Sequence, residues 1–216
     1  MTRYFLNAQE IAVPGDISSL DQILKRVETT QLSPDEAIRR IQVDGHSLTP
    51  DSLEDAGAIF GELGNRCKVE IFTASILEVS RDAICEAIDY VNRAEALTHS
   101  LASCFKTTPE PESLRSVRQL RDGFYWLSLL LDKLAANFKI PLENCKVQDA
   151  SAQGHLGKFA DVLKRLADAQ ERGDFIMISE LLEREIRGTI PVWKSLFGLF
   201  LNEVDRASRD CGKSVK

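Results

Sequence analysis

Seven large apolar residues, Val117, Leu120, Phe124, Leu127, Leu131, Leu134 and Phe138, recur at alternating spacings of three and four. An α-helix turns once in about 3.6 residues, so this spacing puts all seven on one stripe, and a stripe that long is hidden only against other helices. The stretch 75–105 repeats the signal with Ile76, Val79, Ala83, Ala87, Val91, Ala94, Leu97 and Leu101. Leu156, Phe159, Leu163, Leu166 and Gln170 follow the same rule, as do Phe175, Ile178, Leu182 and Ile186, and then Trp193, Phe197, Phe200 and Val204.

The punctuation between these runs sets the helix ends. Pro109 and Pro111 break the chain after the first run, Pro141 stops the second, and residues 139–154 read as a polar linker. Gly173-Asp174 supplies a C-terminal glycine followed at once by an N-cap, which implies a tight helical hairpin. Gly188 and Pro191 predict a kink or break at residues 187–191, because proline removes a backbone donor and crowds the preceding turn. Four long helices with short connections predict an antiparallel four-helix bundle over residues 74–210, with 211–216 a disordered polar tail.

The first 73 residues obey a different period. Residues 3–7 and 10–13 are short β-prone runs closed by Pro14-Gly15, which predicts a hairpin. Leu20, Ile23, Leu24 and Val27 predict a helix ending near Thr29. Ala37–Val43, ended by Asp44-Gly45, and Cys67–Phe72 alternate as strands, with at most a short helix between Pro50 and Gly61. This order, together with Val43-Asp44-Gly45-His46-Ser47-Leu48 followed by Ser52-Leu53-Glu54-Asp55, resembles the ubiquitin-like β-grasp superfold. The unit continues into a helix at about residue 74 in place of the free Gly-Gly end of conjugated modifiers, so the resemblance implies a protein-docking unit. The expected chain is therefore α+β: a β-grasp-like domain over 1–73, then the bundle.

A second resemblance lies in the bundle. Leu166 to Phe175, Leu181-Leu182-Glu183-Arg184-Glu185 and Pro191-Val192-Trp193 resemble the C-terminal helical hairpin of uncharacterised bacterial proteins, some encoded beside flagellar chaperones. That similarity implies a chaperone or adaptor role.

Composition excludes several classes. A hydrophobic fraction of 44% with 28% charged residues is that of an ordinary globular chain, and no run of about 18 apolar residues exists to span a bilayer. The N-terminal residues lack the apolar core of a signal peptide, and five scattered cysteines fit reduced thiols, so a soluble cytoplasmic protein is expected. Residues 1–75 hold 7 Lys/Arg against 12 Asp/Glu, and no basic stripe with interleaved aromatics occurs anywhere, which argues against nucleic acid.

Catalytic and metal chemistry find no foothold. Ala207 to Ser214 matches a relaxed phosphate-loop pattern, but the strand that must precede such a loop is replaced by helical sequence. His46, His99 and His155 fall in different elements without a metal-ligand spacing, and Cys104 is five positions from His99, off its helical face. Glu180, Glu183 and Glu185 with Arg184 and Arg187 read as a charged helix face. No cofactor is expected.

The anomaly is apolar excess outside the seams. Tyr125, Trp126, Leu129 and Leu130 cannot share the stripe of Phe124 and Leu127, and Trp193, Leu196, Leu199 and Phe200 cannot all share one narrow face. Aromatic anchors of this kind dominate interfaces, so these eight residues are the expected surface for a protein partner or a homodimer. The alternative is a small-ligand site or an enzyme pocket between the two domains, lined by His46 or Cys67.

Overall fold

The computed structural model, which describes residues 2–12, 20–48, 67–107 and 109–213, begins with the hairpin that the sequence predicts. Strands β1 (Arg3–Leu6) and β2 (Gln9–Ile11) pair antiparallel across Asn7 and Ala8, both at positive φ, the backbone twist that a two-residue hairpin turn requires. Helix α1 (Leu20–Thr30) follows, then β3 (Glu36–Val43), which turns through Asp44 and Gly45, again both at positive φ, into the two-residue β4 (His46–Ser47). Strand β5 (Lys68–Ser75) completes a sheet of order β2-β1-β5-β3-β4. It pairs parallel with β1 and antiparallel with β3, so the sheet is mixed, with its longest strands central. Leu20, Ile23 and Val27 of α1 share one core with Ile41, Val43, Val69 and Ile71. This arrangement is compatible with a β-grasp-like unit. The short helix expected near residues 50–61 lies outside the described residues.

By its internal contacts the chain divides into residues 1–79 and 80–216. Helix α2 (Ile76–Cys104) starts at a reciprocal cap: the Glu78 backbone N–H donates to Ser75 Oγ, and the Ser75 N–H donates to the Glu78 carboxylate, each at 3.2 Å. Helix α3 (Pro111–Phe138) opens on proline, whose fixed φ and missing donor suit the first helical position, and ends at Lys139 in the left-handed region. Six of the seven seam residues, Val117 to Leu134, are buried there, with Phe138 half-buried.

Residues 139–154 depart from the expected linker. Lys146–Val147 and Ala150–Ser151 form a small antiparallel pair, β6 and β7, turning through Gln148 at positive φ, and Leu142, Cys145 and Val147 are buried in the helical core. Strands of two residues are too short to leave a period in the sequence, so only the scattered apolar residues betray them. Helix α4 (Ala152–Arg172) then starts on Ser151, whose hydroxyl accepts from the Gly154 N–H at 3.1 Å, and stops at Gly173. Asp174 caps α5 (Phe175–Glu180) by accepting from the Met177 N–H at 3.0 Å, as the Gly-Asp pair predicts.

The helix does not break at residues 187–191. Helix α6 (Arg187–Lys213) runs through Pro191, and the irregularity lies one turn earlier, where Leu181–Ile186 form a π-helical turn with an extra residue. Thr189 Oγ1 donates to the Ile186 carbonyl at 2.7 Å, at the junction of the π turn and α6. Helix α6 also continues into the stretch expected as a tail, to Lys213, and residues 214–216 lie outside the described residues.

Candidate binding site

Where the eight apolar residues singled out from the sequence lie divides them. Tyr125 is 63% exposed and Leu129 45% exposed, one helical turn apart on α3, so they stand at the surface as expected. Trp126 and Leu130 are half-buried against the core, and Leu199 likewise. Trp193, Leu196 and Phe200 are buried within the helical unit itself, which corrects their expected place on an exposed face. The all-round apolar character of α6 thus has an internal cause: the helix is covered on more than one side by its own unit.

Trp193 belongs to an aromatic cluster. Its ring centroid lies 5.8 Å from Phe124, 5.4 Å from Phe159 and 6.1 Å from Phe197, and Phe124 lies 4.9 Å from Phe159. Such separations are those of favourable edge and tilted ring pairs. Tyr90 adds an edge contact to Phe124 and donates its hydroxyl to the Leu120 carbonyl at 3.1 Å. Burial pushes the Tyr90 phenol up to about 12, so it stays a neutral donor across the physiological range.

Beside this cluster a cleft of about 290 Å³ opens between α4, the β6–β7 turn and the start of α6. Its floor is apolar: Phe159, Val162, Val192, Trp193 and Leu196 are buried. Gln148, Lys158 and Gly188 are exposed and form the rim, with His155, Glu185 and Thr189 half-buried between floor and rim. His155 Nε2 lies 2.9 Å from the Val147 carbonyl; a carbonyl only accepts, so Nε2 donates. Glu185 is engaged by Arg165 at 2.8 Å. Among the described residues Lys158 has no ion pair or hydrogen bond.

Sequence reasoning placed an alternative pocket elsewhere and missed this one, although a signal existed. The buried residues Ile178, Leu182, Ile186 and Ile190 are spaced four, four and four. Three fours in succession outrun the 3.6-residue turn by about one residue, the mark of an inserted π turn, and Glu185 of that turn lines the cleft.

The remaining polar groups behave as a solvated face. Glu183 pairs with Lys106 at 2.7 Å, and that hydrogen bond holds its carboxyl below the usual range. His46 on β4 and His99 and Cys104 on α2 are all exposed, and no group of three His, Cys, Asp or Glu able to hold a metal ion occurs among the described residues. Ala207 to Lys213, the relaxed phosphate-loop match, are the last turns of α6. No helix of the described residues is long and apolar enough to cross a membrane.

A family model described as Domain of unknown function (DUF8042) matches residues 82–196, more than half of the 216-residue chain and nearly all of the cleft and the aromatic cluster. No curated protein and no solved structure matches the chain.

Proposed function

We propose that this chain, which belongs to the family described as Domain of unknown function (DUF8042), is a non-enzymatic interaction module, an adaptor or chaperone-like protein of the cytoplasm whose helical unit holds a protein partner. The observation that carries this reading is the pair Tyr125 and Leu129, a large aromatic and a leucine left exposed one turn apart on a helix whose other face is fully buried. Residues of this kind are the usual anchors of interfaces, and here they stand on a rigid helix, which lowers the ordering cost of binding.

The charges around them favour a different protein over a second copy. A copy docked antiparallel about Leu127 would oppose Asp122 to Asp132 and Arg121 to Lys133, and like charges across an interface are costly. The order β2-β1-β5-β3-β4 with α1 packed on the sheet supports a β-grasp reading of the N-terminal unit, a fold suited to docking, and helices α2 to α6 share one hydrophobic core. Cys67, Cys85, Cys104 and Cys145 as free thiols support a reducing compartment. The resemblance of residues 166–193 to hairpin proteins encoded beside flagellar chaperones supports the adaptor role.

A photo-crosslinking amino acid at position 125, used in the native host, tests the proposal. One dominant heterologous adduct is expected, lost in a Leu129→Ser background whose circular dichroism remains helical. Adducts with the chain itself alone, or none at all, would overturn it.

A further inference from the structure

The cleft beside Trp193 has the composition of a small-molecule site, with an apolar floor and a few polar groups at the rim. Its electrostatics select among small molecules. Glu185 is neutralised by Arg165, the Nε2 proton of His155 is committed to the Val147 carbonyl, and the Thr189 hydroxyl proton is committed to the Ile186 carbonyl. Lys158 is the one formal charge on the lining left without a partner among the described residues. An occupant that matched both parts would carry an apolar body for the floor and an anion for the rim.

Gly188 points the same way. Glycine within a helix is destabilising relative to alanine, and a Cβ built at Gly188 meets nothing within 4 Å, so packing does not require it. It lies on the cleft lining and is exposed. The volume, at the small end of ligand sites, suits a molecule of about a dozen non-hydrogen atoms.

We infer that this cleft binds a small amphipathic carboxylate, its aryl or branched-alkyl body on the Phe159–Trp193–Leu196 floor and its carboxylate at Lys158. The Lys158 ammonium meets the carboxylate as a point charge at the wet rim, while the desolvated body supplies the rest of the affinity.

The probe is 4-phenylbutyrate, compared with its neutral counterpart 4-phenylbutan-1-ol. Both are titrated into the full chain carrying Trp126→Phe, which leaves Trp193 as the only indole, since the chain has 2 tryptophans. Saturable quenching by the carboxylate is expected with a Kd on the order of 1 mM or tighter, the range for a ligand of this size. Lys158→Met should weaken the carboxylate about tenfold and leave the alcohol unchanged, as expected for a single ionic contact. Gly188→Leu, which adds bulk at a lining position, should weaken both. No saturation up to about 10 mM, equal affinity for acid and alcohol, or undiminished binding in Gly188→Leu would overturn the inference. None of these variants replaces Tyr125 or Leu129, and the crosslinking experiment keeps Trp126, so the two outcomes are read on different chains.

Discussion

Among the described residues, the sheet unit buries Leu20, Ile23, Val27, Ile41, Val43, Cys67, Val69 and Ile71, without one aromatic ring, whereas the helical unit buries Phe105, Phe124, Phe159, Trp193, Phe197 and Phe200 among its aliphatics. The difference follows from geometry. One helix laid on one sheet face leaves a thin layer that β-branched and leucine side chains fill. Several helices around a common axis leave a wider volume that rings fill, by edges and faces in contact. Flat rings also leave gaps where a helix changes register, and the cleft beside Trp193 lies next to the π turn.

The sharpest way to break this comparison is to remove the central ring. Phe124 is fully buried and touches Tyr90, Phe159 and Trp193, so its removal leaves a space bordered by three rings. Phe124→Ala should cost about 3–5 kcal/mol of unfolding free energy, measured in the Trp126→Phe background by urea titration with Trp193 emission shifting to the red. A loss below about 2 kcal/mol would mean that the rings fill volume without specifying the packing.

A second test uses a glycine whose role is opposite to that of Gly188. A Cβ at Gly123 would lie 1.9 Å from the Tyr90 hydroxyl oxygen and 2.2 Å from the ring carbon that bears it, so the phenol would have to move and lose its bond to the Leu120 carbonyl. Alanine for glycine inside a helix ordinarily stabilises by about 0.5–1 kcal/mol. Here Gly123→Ala should destabilise by about 1–2 kcal/mol, since overpacking outweighs propensity. In a Tyr90→Leu background the ordinary sign should return. Thermal unfolding of the four members of that cycle reads the coupling directly.

How much of this was legible depends on the length of the repeat. The seam from Val117 to Leu134 runs through five turns, so its burial could be read at once, and the Gly173-Asp174 pair fixed the α4–α5 hairpin to the residue. Strands β6 and β7 of two residues each left no period, and their hairpin was read as linker. The exposure of Tyr125 and Leu129 followed from their place off the seam. The burial of Trp193, Leu196 and Phe200 did not, because a helix packed on two sides and a helix with a sticky surface have the same sequence. The cleft was hidden for a different reason: its lining comes from elements as much as 48 positions apart, from Gln148 to Leu196, and no local period reports such a juxtaposition.

The smallest expected effect belongs to the sheet unit and completes the comparison. Ile71 sits on the central strand β5, paired with Leu6 on one side and Ile41 on the other, and is fully buried under α1. Ile71→Val removes one methylene but keeps the branched shape that the strand prefers, so about 0.5–1.5 kcal/mol should be lost, read from the urea midpoint at unchanged slope. A thin layer of small side chains closes over a missing methylene more readily than a ring cluster closes over a missing ring. A loss of about 3 kcal/mol or more at Ile71 would therefore show that the sheet unit is packed as rigidly as the aromatic core, and the contrast between the two units would be one of residue type alone.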